Sequence, residues 1–352
     1  MLTTPRVFDD DHLPRTYPHR DAELRECFRC FDPVLEGKEA ESLLLSGSSG
    51  VGKTSLARYA LTELQSQAPV NTAHIRCLGK TPVGILRAML EEVTRTSIPE
   101  NVPSTELKTR LEQVDGPTIV ILDEADDIAE SDIVSTLLKI NGISVISIVH
   151  NPVNWLSHLT PTTATRLRGD NHLSLDRYTV DELADILEDR ANRGLPPGVV
   201  ARRQLEQIAD EVAGVARRGI QALRAAATIA KEREHQTIQE SDIADSFARA
   251  RQRIRRMNLR SLPLHHQILY AIIQSHGTIT AEQLHQQYET IATDAYQDTP
   301  LTPIGKRSRR NKLQKLEAYD LIECEGAGYG RQYSAMDTAV SPQISLPSLL
   351  PT

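Results

Sequence analysis

The chain has 352 residues, 39% of them hydrophobic, enough for two or three domains with ordinary cores. Its formal net charge is -7, from 40 basic and 47 acidic residues, which speaks to solubility and partners rather than to fold. No apolar run approaches membrane-spanning length, and MLTTPRVFDDDHLPR places acids where a signal peptide needs a basic and then an apolar region, so a soluble, cytoplasmic chain is expected.

In chain order, the first candidate element carries Cys27 and Cys30 as one C-x-x-C; Cys77 and Cys324 stand alone. Zinc usually takes four ligands, commonly two such pairs, and the sequence offers no second pair or nearby histidine pair. Thiols on an amphipathic helix are therefore expected.

The next stretch, ESLLLSGSSGVGKTSLARYALTEL, is more informative. Leu43–Leu45 predicts a buried strand. Gly47-x-x-x-x-Gly52-Lys53-Thr54 follows, then helical spacing at Leu56, Tyr59, Ala60 and Leu64. Strand, glycine loop and helix are the context a phosphate cradle requires. Its backbone N–H groups turn toward phosphates, and the helix N-terminus adds a favourable dipole. The candidate nucleotide-binding set is Gly47, Gly50, Val51, Gly52, Lys53, Thr54 and Ser55, with Lys53 reaching the β- and γ-phosphates and Thr54 binding Mg²⁺.

A second apolar strand, Ile119–Leu122, ends at Asp123-Glu124. Asp123 there can hold Mg²⁺ together with Thr54, and Glu124 can polarise an attacking water. Asp126 and Asp127 are expected to be helix N-terminal acids. A third strand, Ile143–Val149, ends at His150-Asn151. Asn151 either positions the hydrolytic water or forms an Asn-Pro turn; the sequence favours neither.

Further on, six arginines lie between Arg249 and Arg260, either a solvated face or a track for a phosphate backbone. Leu264, Ile268, Leu269 and Ile272 mark a helix. Thr280 and Gln283 make a capping box before a second, with Leu284 and Tyr288. Thr302-Pro303 is expected to start a third. Between Lys306 and Lys315 that helix holds six basic residues and no acid, with no apolar stripe before Leu313 and Leu316. Leu321–Glu325 and Arg331–Ser334 read as strands joined by a glycine turn. Three helices and a glycine-tipped hairpin predict a winged helix, its polar N-terminal turns suited to a major groove.

Taken together these motifs resemble the AAA+ ATPases, and among them the archaeal origin-recognition and cell-division-control type of replication initiator, from about Arg6 to about Met336. The resemblance implies an α/β fold: a parallel sheet flanked by helices (1–173), an all-α lid (174–255), a C-terminal winged helix (256–340) and a flexible tail (341–352). Pro18-His19-Arg20 resembles the N-terminal box beside the adenine. Asn151 falls at the sensor-one asparagine. Thr165-Arg166-Leu167 resembles the element carrying the arginine finger, with threonines filling TPTTAT where the family shows more basic character. Tyr178 and Arg190 match lid residues that face the nucleotide; on its own, Tyr178 suits adenine stacking and core packing equally. Gly214, Ala216 and Arg217 match the sensor-two element, with Val215 in place of its acid, and imply that Arg217 touches the γ-phosphate. The family carries an extra DNA-reaching helix between two strands, where TPVGILRAMLEEV is amphipathic here.

The DNA-binding set this implies is Lys306, Arg307, Arg309, Arg310, Lys312 and, in the wing, Arg331, although the family often has an apolar residue where Arg309 sits. ATP and ADP with Mg²⁺ are the implied cofactors. Double-stranded origin DNA, sister initiator subunits and the replicative helicase are the implied partners, in the cytoplasm at the nucleoid, with slow ATP hydrolysis as a switch. The alternatives are a divergent regulator that binds DNA without firing origins, and a AAA+ helper of transposition or clamp loading.

Overall fold

A computed structural model describes the chain except for residues 129–131, 298, 327–329 and 345–352. The described residues form two compact units, Met1–Ser246 and Phe247–Thr352.

The first unit opens with α1 (Asp21–Leu35), β1 (Leu43–Gly47), α2 (Lys53–Gln67) and β2 (Asn71–Arg76). There follow α3 (Pro82–Thr94), α4 (Ser104–Glu112), β3 (Thr118–Asp123), α5 (Asp132–Leu137), β4 (Ile143–Ile148), α6 (Pro152–Ser157), α7 (Pro161–Arg166) and β5 (His172–Leu175). The five strands form one parallel sheet in the order β2-β3-β4-β1-β5. β1 and β3 carry unbroken apolar runs, Leu43–Leu45 and Ile119–Leu122, because helices cover both faces, and β4 adds the buried Ser144 and Ser147 to its apolar residues. Alternate residues supply two cores. Leu43, Leu45, Ile119, Ile121, Ile146 and Ile148 pack with α1 and α2. Leu44, Val120, Leu122 and Val145 pack with α3 and α4. Cys27 and Cys30 are buried on the inner face of α1, as expected of an amphipathic helix. The parallel register pairs Leu45 with Ile148 and Leu122 with Ser147, so β1, β3 and β4 all finish at one edge. In open parallel sheets that carboxyl edge is where ligands bind.

Helices α8 (Val180–Gly194), α9 (Arg202–Glu211) and α10 (Ala216–Glu232) follow, then α11 (Glu240–Ser261). α8 starts with a capping box. The Thr179 hydroxyl accepts from the Glu182 amide, and the Glu182 carboxylate accepts from the Thr179 amide. Leu183 and Leu187 are buried, but Ile186 is only half-buried and Ala184 takes the inward position. A 3-10 turn at Pro5–Phe8 docks on α8, its Phe8 ring buried against Gly194, where a Cβ would strike it.

The second unit contains α12 (Leu264–His276), β6 (Thr278–Thr280), α13 (Ala281–Tyr296), α14 (Lys306–Ala318), β7 (Ile322–Glu325) and β8 (Gln332–Ala335). The strands form an antiparallel sheet in the order β6-β8-β7. The Thr280–Gln283 capping box starts α13 as expected. Thr302-Pro303 does not start α14, which begins at Lys306 with Gly305 as an unassisted cap. The reason is local: the Ile304 amide donates to the Tyr288 hydroxyl (3.0 Å), pinning the preceding segment to α13 in non-helical form. The tip of the expected wing and most of the expected tail lie outside the described residues.

Candidate functional site: a phosphate-type loop and a basic helix

The loop between β1 and α2 is built on backbone that side chains would obstruct. Gly47 has φ 139° and a Cβ there would strike the Leu175 carbonyl. Gly52 has φ 98°, and its added Cβ would lie 2.7 Å from the Tyr17 hydroxyl. Val51 anchors the loop in the core, and Ser55 continues the first turn of α2. Lys53 is only 6% exposed; its ammonium curls into the loop and donates to the carbonyls of Gly47 (2.8 Å) and Ser48 (2.9 Å). The Thr54 hydroxyl donates to both oxygens of Asp123, at 3.1 and 3.0 Å. Burial pushes the Asp123 carboxyl up, but hydrogen bonds from His74 (3.3 Å) and Thr54 outweigh it and hold it below the usual carboxylate value. A hydroxyl and an ionised carboxylate side by side are hard oxygen donors of the kind Mg²⁺ takes.

Glu124 leaves β3 in left-handed backbone, φ 57°, an uncommon conformation for a non-glycine residue. Asp126 and Asp127 fall in a short 3-10 turn rather than at the start of an α-helix. Asp126 instead accepts from the His150 amide (2.8 Å) and pairs with its ring (3.4 Å), tying the end of β3 to the end of β4. The exposed Asn151 caps α6, its side-chain oxygen accepting from the Asn154 amide at 3.0 Å.

The helical segment after β5 closes over the same edge. Arg20 is buried with its guanidinium 4.2 Å from the centre of the Tyr178 ring, and it donates to Glu23 and to the Asp176 carbonyl. His19 pairs with Asp185 of α8 at 2.9 Å. The Arg217 amide donates to the Gly50 carbonyl (3.1 Å), which sets the start of α10 directly on the loop. The Arg217 side chain is paired with Asp10. Arg190 is buried and donates to the Val7 carbonyl (2.8 Å); burial, helped by Arg193, pushes it down to about 10. Arg166 is exposed at the end of α7 and donates to the Leu138 carbonyl (3.1 Å). Three of the four threonines of TPTTAT are structural: Thr160 and Thr163 form a hydroxyl chain with Ser135, and Thr165 bonds back to the Pro161 carbonyl.

Residues 16–146 match the AAA ATPase domain and residues 184–248 the Cdc6 AAA+ ATPase-type lid domain. ORC1-type DNA replication protein 9 of Halobacterium salinarum is 30% identical over 343 residues, covering 96% of this chain and 95% of that protein. The chain belongs to the ORC1-type DNA replication protein family. ORC1-type DNA replication protein 1 of the same organism is also 30% identical, over 88% of this chain and all of the relative. The fold matches that of the Aeropyrum pernix ORC1 protein, solved in complex with DNA, with a TM-score of 0.74 at 24% identity, covering 99% of this chain and 95% of that one. Among the described residues no helix is long and apolar enough to cross a membrane.

Within this ORC1-type chain, α14 divides its basic residues. Lys306, Arg307 and Arg310 are exposed and Lys312 half-buried. Arg309 is 1% exposed and cannot contact DNA from this position, contrary to its place in the expected DNA-binding set. Its guanidinium lies 4.4 Å from the Tyr288 ring centre and donates to Glu289 (2.7 Å). The planar, weakly hydrated guanidinium stacks where an apolar residue would otherwise pack. Lys315 is buried too, its ammonium 4.5 Å from the Tyr319 ring centre. Arg331, half-buried, precedes β8.

Three residues at the loop escaped sequence reasoning. Tyr17 donates to the Gly52 carbonyl (2.9 Å) and packs on Tyr59; burial pushes its hydroxyl well above the usual value. His74 reaches Asp123 from the neighbouring strand, and Asp10 reaches Arg217 from the N-terminal segment. Of the three, only Asp10 carries a visible signal in the sequence, as part of the acid run Asp9–Asp11.

Proposed function

We propose that this chain is a replication initiator that binds ATP at the β1–α2 loop, recognises double-stranded origin DNA through its second unit, and uses slow ATP hydrolysis as a switch. The decisive support is the match to an ORC1-type DNA replication protein over 96% of the chain, which takes in both units. The loop amides from Gly47 to Thr54 would wrap the phosphates, and Lys53 would exchange its two carbonyl contacts for phosphate oxygens. Thr54 and Asp123 would hold Mg²⁺, which supplies charge stabilisation at the phosphates. Glu124, turned out of its strand, would polarise water, and Asn151 would help orient it. Tyr178, His19, Arg20 and Arg190 would line the base side. Arg217, seated on Gly50, would read the terminal phosphate. Arg166 would act as a finger on the nucleotide of a sister subunit.

We assign residues 1–173 to the base, 174–255 to the lid and 256–340 to a winged helix with α14 as its recognition helix. Lys306, Arg307 and Arg310 share one exposed face, as residues three or four apart on a helix do. Arg331 would enter a minor groove beside them. Loading of the replicative helicase belongs to the same proposal. The test is footprinting on origin-region fragments of the host with ATP and with ADP, against a scrambled duplex. A discrete protected site, lost in the Arg307→Ala/Arg310→Ala variant, is expected. Uniform weak binding that disappears at modest salt would sink the proposal.

A further inference from the structure

We propose that Asp10 sets the discrimination between tri- and diphosphate nucleotides, by holding the Arg217 guanidinium until a terminal phosphate takes it. This rests on Gly47–Thr54 being a nucleotide cradle.

Residues 5–11 form a strap across the two sides of that cradle. On the lid side Phe8 is buried, Arg190 donates to the Val7 carbonyl, and Gln221 donates to the Phe8 carbonyl at 2.8 Å. Asp9 pairs with Arg224 at 2.5 Å. On the base side Arg58, in the helix that follows the loop, donates to the Asp11 carbonyl at 3.3 Å. Between these anchors one oxygen of Asp10 accepts from both Nε and Nη2 of Arg217, each at 2.7 Å. The first turn of α10 has no acid of its own, and the preceding Val215 is buried over Gly50.

The backbone of Arg217 is fixed, since its amide is bonded to the Gly50 carbonyl and its Cβ lies 3.1 Å from where a Gly50 Cβ would be. Only the side chain is left to choose between partners. The Arg217 and Asp10 side chains are 27% and 32% exposed, so water screens the pair and it is exchangeable. A terminal phosphate carries more charge than a carboxylate and offers several acceptor oxygens to the same fork. A diphosphate ends one group short. The triphosphate must therefore displace Asp10, whereas the diphosphate leaves the pair in place.

The experiment is equilibrium binding of a fluorescent non-hydrolysable ATP analogue and of fluorescent ADP, each with Mg²⁺, to the full chain and to Asp10→Asn. Removing the charge should tighten the analogue about two- to fivefold, the size of a screened ion pair, with ADP unchanged. The gain should vanish in an Arg217→Ala background. Hydrogen exchange at residues 5–12 should rise with the analogue and not with ADP. Equal shifts for both nucleotides, weaker analogue binding in Asp10→Asn, or a strap indifferent to the analogue would each overturn the proposal while leaving the cradle intact. A wild-type chain that binds neither nucleotide would overturn both.

Discussion

Two cationic segments of this chain meet opposite demands. At the glycine loop a single ammonium, Lys53, is buried and surrounded by backbone carbonyls, in a site whose shape is set by positive-φ glycines. At α14 a series of cations lies along one helix, and packing divides them: Lys306, Arg307 and Arg310 face outward while Arg309 and Lys315 are buried against tyrosines. A buried cation thus meets backbone carbonyls in one place and aromatic rings in the other. The difference lies in what replaces water around it. Lys53 has exchangeable carbonyl contacts, which an anion can displace. Arg309 has the face of the buried Tyr288 and the carboxylate of the exposed Glu289, both on the unit's own α13.

The largest effect expected on either side of that comparison is at the loop. Lys53→Ala should weaken nucleotide binding about 30-fold or more, the size of truncating one partner of a buried charge pair, with little change in melting temperature. A fluorescent-nucleotide titration checks it; unchanged affinity would make Lys53 a structural cation like Arg309. Conversely, Arg309→Ala should destabilise the second unit by about 2–3 kcal/mol in urea denaturation, through lost stacking and packing. Arg309→Lys should not restore it, because an ammonium lacks the planar fork.

A pH profile sharpens the same contrast. Burial pushes His266 down to about 3, with Lys312 adding to it, and His285 down to about 4, with Arg309 adding. Unfolded histidines titrate near 6.5, so below that pH the unfolded chain takes up protons that the folded unit refuses. Stability of the second unit is therefore complete above about pH 6.5 and is lost as the pH falls toward these depressed values. The slope approaches about 1.4 kcal/mol per pH unit for the well-buried His266, and is smaller for the less buried His285. Urea midpoints at pH 7 and pH 5 measure it, and His266→Leu should flatten the dependence.

The smallest effect belongs to the exposed face of α14. Arg307→Ala and Arg310→Ala should each leave stability within about 0.5 kcal/mol, while lowering the salt slope of DNA binding by about 0.9 for each phosphate contact removed. If either variant unfolds the unit, or neither alters the slope, the division of α14 into a packing side and a DNA side fails.

The nucleotide site was legible in the chain because its determinants are contiguous. Glycines fix the loop, the strand before it and the helix after it are local patterns, and Lys53 and Thr54 follow by position. The apolar strands were legible for the same reason: a run buried on both faces carries its own signal. Contacts between distant segments left no comparable trace. Asp10 is 207 residues from Arg217, and His74 meets Asp123 only because β2 lies beside β3. The polar first half of α14 carried charge, and its own pattern gave no sign of which cation faces the core; only the family's frequent apolar residue at the Arg309 position pointed there. Tyr288 and Glu289, on another helix, decided that. By itself the sequence determined the apolar strands β1, β3 and β4, the cradle and the placing of positive charge on one helix, since backbone sterics and periodicity act over a few residues. Only the tertiary structure decided which charges are paired, stacked or exposed, because desolvation and ion pairing depend on neighbours that the chain brings together by folding.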